Sequence, residues 1–164
     1  MPDHASDQPP LIGDRISVVG TSSNGKSTLA QQLAELIDGT YIELYALHWL
    51  PDWQESTTED FQVKVTAAIN TAPRWAVAGN YNGKGIPDIV LAQADTWIWI
   101  DLGFRVSFTR LLRRTWRRWR DQELLWGNNR ERFWEHFKLW SNDSLPGFVL
   151  RNYRASRRRQ ADRF

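Results

Sequence analysis

Cysteine is absent from this chain, and its absence excludes two kinds of site. Without thiols the chain can form neither a disulfide framework nor a thiolate metal centre. Apolar runs of membrane-spanning length and a recognisable secretory signal are also absent. We therefore expect a cytoplasmic protein that does not act in a membrane. A chain of 164 residues is long enough for one domain with a substantial core.

Acidic and basic side chains are unevenly distributed along the chain. Residues 1–104 carry 5 basic and 13 acidic side chains, whereas residues 105–164 carry 16 and 6. The basic last third requires either an anionic partner or a solvated face. The polar, proline-rich start predicts a disordered leader over residues 1–14, followed by a single domain over residues 15–164.

One stretch, residues 20–27, fits a phosphate-binding pattern at every fixed position. Its sequence is GTSSNGKS, and the pattern is G-x-x-x-x-G-K-[ST]. A short β-branched run over residues 16–19 precedes it, and a helical pattern over residues 28–37 follows it. Strand, glycine loop and helix are the setting that this motif requires. The alternative is a glycine turn that only caps an ordinary helix.

The chemistry expected of this loop follows from its backbone. Glycines let the chain curl so that successive N–H groups point at a phosphate, and the helix N-terminus adds partial positive charge. Lys26 would reach the β- and γ-phosphates, and the Ser27 hydroxyl would hold Mg²⁺. The residues predicted to contact the nucleotide are Gly20, Ser22, Ser23, Asn24, Gly25, Lys26, Ser27 and Thr28.

The rest of the chain alternates between strand and helix patterns. Strands are predicted over residues 41–44, 75–78 and 96–101, and helices over residues 57–71, 87–92, 105–120, 130–140 and 146–159. This alternation predicts an α/β fold with parallel strands and right-handed crossovers. Ser56 with Glu59 predicts a capping box for the helix at residue 57, and Asn129 is a predicted N-cap.

The helix predicted over residues 105–120 is amphipathic and rich in arginine. Its tryptophans fall on the apolar stripe, which predicts that they are buried. Arginines stabilise the charge that develops during phosphoryl transfer. The candidates are Arg113, Arg114, Arg117, Arg118 and Arg130, and we predict Arg113 and Arg117 to be catalytic together with Lys26. A solvated outer face and nucleic-acid binding through arginine and tryptophan are the alternatives.

Taken in order, these stretches resemble the adenylate-kinase-like P-loop proteins, some of which are called topology-modulation (FlaR-like) proteins. The resemblance covers roughly residues 15–155 and lies in residues 20–28, 47–49, 75–81 and 99–101, the arginine-rich helix and residues 126–131. It implies a three-layer, nucleoside-monophosphate-kinase-like fold with strand order 2-3-1-4 and a helical lid over residues 113–130. It also implies ATP as the phosphoryl donor. With Mg²⁺ as the second cofactor, we expect a monomer or homodimer that acts on a small acceptor, with nucleotides among the candidates.

Carboxylates mark where the sequence departs from this family. The second strand of such proteins usually ends Leu-Asp-x-x-His and the third Asp-Gly-Asn-Tyr, but Tyr45 and Ala78 occupy the two Asp positions here. Asp101 is a candidate replacement, although capping or pairing with an arginine is the commoner role. Glu43 is expected to lie too deep in its strand. Restoring both carboxylates is expected to raise the rate by at least about tenfold.

These departures keep open a second function, a nucleotide-binding module with little catalysis. Such a module would bind a partner or nucleic acid through its arginine-rich helices. A fifth strand, present in many members of the family, is not evident in this sequence.

The acceptor is expected at the carboxyl ends of the strands, where α/β sheets bind ligands. His48, Asn80 and Tyr81 are the candidates, because each follows a predicted strand. The alternatives are a histidine packed against Trp49 and a plain Gly-Asn turn.

Overall fold

The computed structural model describes residues 12–80, 83–122, 124–126, 129–130, 153–158 and 160–161. Its main strands are β1 (Arg15–Gly20), β2 (Thr40–Glu43), β3 (Trp75–Ala78) and β4 (Thr96–Ile100). Its helices are α1 (Lys26–Leu36), α2 (Leu44–His48), α3 (Thr58–Asn70), α4 (Ile86–Leu91) and α5 (Phe104–Arg120). The four strands are parallel and lie in the order β2-β3-β1-β4. The predicted α/β class and the strand order 2-3-1-4 are therefore confirmed.

Helices cover both faces of the sheet. On one face, Val18 and Ala78 pack against Ala30 and Ala34 of α1, and these small residues let the helix approach the strands closely. The opposite face packs against α3 and α4 through Ile42, Phe61, Val65, Ile69, Trp75, Val77, Ile86 and Val90. Burial on both faces explains why β3, in which every residue is buried, is continuous in apolar residues. The layers hold β1 in the middle of the sheet, and β1 leads into the glycine loop.

The second strand ends one residue earlier than predicted. We expected a strand over residues 41–44, but β2 spans Thr40–Glu43 and α2 follows at once. Leu44 is buried and fills the space beside Gly79, where a Cβ would lie 2.8 Å from the Leu44 Cβ. The sequence Leu-Tyr-Ala-Leu has no β-branched residue to favour an extended backbone. As a result, Glu43 lies at the carboxyl edge of the sheet.

The cap of α3 also differs from the prediction. Thr57, and not Ser56, is the N-cap, because its hydroxyl accepts a hydrogen bond from the Asp60 N–H at 3.1 Å. The predicted capping box of Ser56 and Glu59 is therefore wrong. The buried Ser56 hydroxyl donates to the Leu47 carbonyl at 3.4 Å, which ties α2 to the segment before α3.

The last third of the chain agrees with the predictions only in part. Two short antiparallel strands, β5 (Leu124–Leu125) and β6 (Asn129–Arg130), follow α5, so Asn129 lies in a strand and does not cap a helix. Residues 131–152, where we predicted one helix and the start of another, lie outside the described residues. Residues 153–158 are helical, as predicted, and residues 160–161, beyond the predicted end of this helix at residue 159, are helical as well.

The predicted leader is described only at its end. Residues 1–11 lie outside the described residues. The Gly13 N–H donates to the Thr96 hydroxyl at 3.0 Å, and the Asp14 N–H donates to the Asp95 carboxylate at 3.0 Å. These bonds attach residues 13 and 14 to the start of β4. None of the described helices has the length and apolarity that a membrane span requires.

Candidate functional site

The glycine loop, residues 20–27, runs from the end of β1 into the first turn of α1. Gly25 is the N-cap of α1 with φ +90°, a left-handed conformation that side chains disfavour. At Gly20 a Cβ would lie 2.5 Å from the Ile100 carbonyl oxygen, so this position needs glycine for lack of space. Of the predicted nucleotide contacts, Ser22, Gly25, Ser27 and Thr28 are exposed, Ser23 and Lys26 are half-buried, and Gly20 and Asn24 are buried.

Two asparagine side chains hold this loop in place. The Asn24 amide donates to the Ile100 carbonyl at 3.0 Å and accepts from the Ser107 hydroxyl at 2.6 Å, which joins the loop to β4 and α5. The Asn80 side chain accepts from the Gly20 N–H at 2.9 Å and donates to the Gly20 carbonyl. We predicted Asn80 to contact the acceptor, but the structure places its amide on the loop backbone. Its neighbour Tyr81 lies outside the described residues.

Two cationic side chains converge on the loop. The Lys26 ammonium donates to the Thr21 carbonyl at 2.8 Å, so it folds back over the loop. The Arg114 guanidinium lies 3.5 Å from the Ser22 hydroxyl. Burial, and then the nearby Arg114 charge, lower the pKa of Lys26 to about 8, whereas Glu43 acts in the opposite direction. The loop therefore concentrates positive charge.

One carboxylate faces these cations. Glu43 Oε2 accepts hydrogen bonds from the Ser27 hydroxyl at 2.5 Å and from the Tyr41 hydroxyl at 2.6 Å. Burial and the bond to Glu43 raise the pKa of Tyr41, so its hydroxyl remains a donor at neutral pH. Our expectation that Glu43 lies too deep in its strand is wrong, because β2 ends at this residue.

The arginines of α5 divide into two groups by the side of the helix on which they lie. Arg114 and Arg118 are half-buried, and the Arg118 guanidinium lies 5.9 Å from the centre of the Trp126 ring. Arg113 and Arg117, which we predicted to be catalytic, are exposed. Spacing by four residues puts each pair on a common side of the helix. The structure therefore brings Arg114, and not Arg113, to the glycine loop; the Arg130 side chain lies outside the described residues.

Aromatic side chains line the rim of the site next to Glu43. Tyr45 stacks on Trp126 with 5.5 Å between ring centres, and Trp126 meets the Trp53 ring edge-on at 6.2 Å. Burial and Glu43 raise the pKa of Tyr45, and Arg114 opposes this shift. Buried Asn129 accepts from the Trp53 N–H at 2.8 Å and donates to the Leu50 carbonyl at 2.9 Å. These bonds fasten the β5–β6 segment to the 50–53 turn.

Two further candidates from the sequence have their partners outside the loop. His48 is 2% exposed, and its ring packs 4.9 Å from Trp49 and 4.8 Å from Phe61. Burial and the charge of Lys84 lower the pKa of His48. The geometry therefore favours the packed histidine that we gave as the alternative. Asp101 forms an ion pair with Arg157, the commoner role that we named for it.

No protein-family model, curated protein or solved structure matches this chain. Its function therefore has to be inferred from the geometry of the site.

The oxygen atoms at the loop fit a magnesium ion that arrives with phosphates. Among the described residues, no group of three or more His, Cys, Asp or Glu side chains could hold a metal. Mg²⁺ typically uses one or two carboxylates and completes its shell with water and substrate phosphates. Ser27 and Glu43 supply a hydroxyl and a carboxylate 2.5 Å apart at the start of α1.

Proposed function

We propose that this chain is an ATP- and Mg²⁺-dependent small-molecule kinase of the adenylate-kinase type, with residues 20–27 as its phosphate-binding loop. The observation that carries the proposal is the convergence of Lys26 and Arg114 on a curled glycine loop at a helix N-terminus. Two cations this close repel each other, and this repulsion helps to lower the pKa of Lys26. A polyphosphate would relieve the repulsion, and the loop amides would bind its oxygens.

Each group at the loop has a role in phosphoryl transfer. Lys26 would exchange the Thr21 carbonyl for the β- and γ-phosphates, and Arg114 would neutralise charge on the transferred group. The Ser27 hydroxyl would hold Mg²⁺, which supplies further neutralisation of phosphate charge when bound. The arginine-rich helix α5 would thus act as part of a lid over the phosphates.

A nucleoside monophosphate suits this site as the acceptor. One of its phosphate oxygens attacks the γ-phosphorus of ATP, the bond to the β–γ bridging oxygen breaks, and ADP leaves with that electron pair. No proton has to be removed from the acceptor, so burial of His48 does not prevent the reaction.

The proposal is tested by ADP formation from ATP and Mg²⁺ with a panel of nucleoside monophosphates. We expect the wild-type protein to exceed a Lys26→Ala variant by about 100-fold, the usual effect of removing one group that stabilises transition-state charge. Equal rates would remove the kinase from consideration. Calorimetry with ATP would then show whether the loop still binds nucleotide.

A nucleotide-binding module with little transfer activity is the second candidate. Tyr45 and Ala78 replace the two family carboxylates, and Trp116 on α5 is 47% exposed, which contradicts our prediction that the tryptophans of this helix are buried. Trp116 shares the helix with exposed Arg113 and Arg117, and this combination suits nucleic acid. ATP binding without ADP formation, together with nucleotide-dependent binding of an oligonucleotide, would favour this candidate.

A further inference from the structure

Glu43 lies where the usual acidic residue of the third strand is missing. In the sheet, Glu43 pairs in register with Ala78 of the neighbouring strand. Side chains at paired positions of parallel strands point to the same face, and neighbouring strands are about 4.8 Å apart. Ala78 is 0% exposed and packs under α1. The acidic side chain is therefore displaced by one strand, at the same height in the sheet.

We propose that Glu43 is the residue that positions the magnesium–phosphate group on Ser27, in place of the family carboxylate that Ala78 has lost. This inference rests on the proposed function and adds one residue to it. Glu43 acts through the Ser27 hydroxyl and through the charge of its own carboxylate, so it is a positioning residue.

The hydrogen bonds around Glu43 suit this role. Both donors, Ser27 and Tyr41, bond to Oε2, and Oε1 forms no hydrogen bond to any described residue. A hydroxyl that donates its proton to a carboxylate keeps its lone pairs available as a ligand, and such an outer partner strengthens the ligand. As far as the described part of the chain shows, Oε1 can accept a hydrogen bond from water bound to a metal. Tyr41 restricts the carboxylate to one orientation.

Asp101, the replacement that we considered from the sequence, does not compete for this role. Its carboxylate is engaged with Arg157 of the C-terminal helical segment. Glu43 is instead in direct contact with the Ser27 hydroxyl, and its negative charge partly opposes the lowering of the Lys26 pKa.

A purely structural role for Glu43, as a brace between β2 and α1, makes a different prediction. If the contact between β2 and α1 were its only role, its loss would disturb the loop and weaken ATP binding whether or not metal is present. A lost positioning group would weaken only the metal-dependent part. Without metal, removal of a negative charge beside a polyphosphate leaves ATP affinity unchanged or makes it tighter. The two roles therefore differ in the sign of one measurable effect.

The experiment compares wild type with Glu43→Gln by calorimetry with ATP, once with Mg²⁺ and once with a chelator. The quantity of interest is the gain in ATP affinity that Mg²⁺ produces. We expect Glu43→Gln to reduce this gain by about tenfold or more, the usual cost of losing an outer partner of a metal ligand. Tyr41→Phe, which keeps the carboxylate, should shift the gain in the same direction by a smaller factor.

Glu35→Gln is the matched control, because it removes the same charge from an exposed position on α1. We expect it to leave the gain unchanged, and thermal melting confirms that each variant is folded. Equal losses of ATP affinity with and without Mg²⁺, or an unchanged gain in folded Glu43→Gln, would overturn the inference. A wild-type protein that binds ATP under neither condition contradicts the proposed function itself. Wild-type binding with a normal gain in Glu43→Gln contradicts only the role of Glu43.

Discussion

Lys26→Met is expected to stabilise the protein when no nucleotide is added, although it removes a group that the proposed function requires. Burial and the neighbouring Arg114 charge lower the pKa of Lys26 from 10.5 to about 8, so the charged ammonium is disfavoured in the fold. Methionine has a similar length and no charge. The substitution loses the hydrogen bond to the Thr21 carbonyl but relieves the cost of the buried charge.

The magnitude follows from the shift in pKa. A change from 10.5 to about 8 corresponds to about 3 kcal/mol of unfavourable free energy for the protonated form in the fold. The lost hydrogen bond offsets about 1 kcal/mol of this. The net gain at neutral pH is therefore about 2 kcal/mol, which raises the Tm of a chain of this size by about 5 °C.

The pH dependence of wild-type stability has a defined sign. Between pH 8 and pH 10.5 the unfolded Lys26 holds a proton that the folded one releases, so the free energy of unfolding rises with pH in this window. The expected rise is about 2 kcal/mol between about pH 7.5 and about pH 9.5. Above this range Tyr41 has the opposite effect. Its pKa is raised in the fold, so the unfolded tyrosine ionises first and the free energy of unfolding then falls with pH.

Urea denaturation across this range, with wild type and Lys26→Met in parallel, measures both effects. Lys64→Met is the control, because Lys64 also donates one hydrogen bond, to the Ser56 hydroxyl at 3.2 Å. We expect Lys64→Met to be neutral or destabilising and to keep the pH slope of wild type, whereas Lys26→Met should flatten that slope. The reasoning is wrong if Lys26→Met lowers the free energy of unfolding as much as Lys64→Met does. It is also wrong if the free energy of unfolding of wild type does not rise with pH in this range, because the charged form of Lys26 is then not disfavoured in the fold.

Two other predictions concern neighbours of the loop. Arg114→Ala should weaken ATP binding by about tenfold or more, which is the cost of losing a charge-assisted hydrogen bond. In the same calorimetry, Arg113→Ala should bind ATP about as tightly as wild type, because Arg113 is exposed. A larger loss of affinity in Arg113→Ala than in Arg114→Ala would restore our prediction from sequence. Ala78→Asp should lower the free energy of unfolding by at least about 2 kcal/mol in denaturation experiments, because it buries a carboxylate beside Glu43. Combined with Tyr45→Asp, it should bring no gain in rate, contrary to the expectation stated from sequence; a faster, stable double variant would contradict the role of Glu43.

The sheet and the glycine loop could be predicted because their signals are local. The β-branched residues before Gly20 and the periodic leucines after Lys26 define a strand and a helix without reference to the rest of the chain. The order of the strands came from the resemblance to a family, and the pairing of β1 with β3 and β4 confirms it. Local patterns succeed here because β3 and most of β1 are buried, and because the helices bury one side.

The residues that complete the site depend on contacts that the sequence does not contain. Glu43 was judged to lie too deep because the end of β2 was set one residue too late, at Leu44 and not at Glu43. The lack of β-branched residues after Glu43 was the available signal. On α5, arginines occur at four successive turns, and the sequence alone does not indicate which of them faces the loop. The anchor that turns Arg114 to the loop is the bond between Ser107 and Asn24, which are 83 residues apart.

The charges around the loop explain why its groups should be tested together. Lys26 is bonded to a carbonyl of its own loop and Ser27 to Glu43, so both side chains are already held at the first turn of α1. A polyphosphate would have to displace only the weaker of these partners, the neutral Thr21 carbonyl, while the bond between Ser27 and Glu43 could persist. Little conformational entropy would then be lost on binding, because the side chains are ordered in advance. The free-energy cost lies instead in keeping the Lys26 ammonium charged in the fold without a nucleotide. When Lys26 is replaced, the free energy of unfolding should therefore rise while the affinity for nucleotide falls.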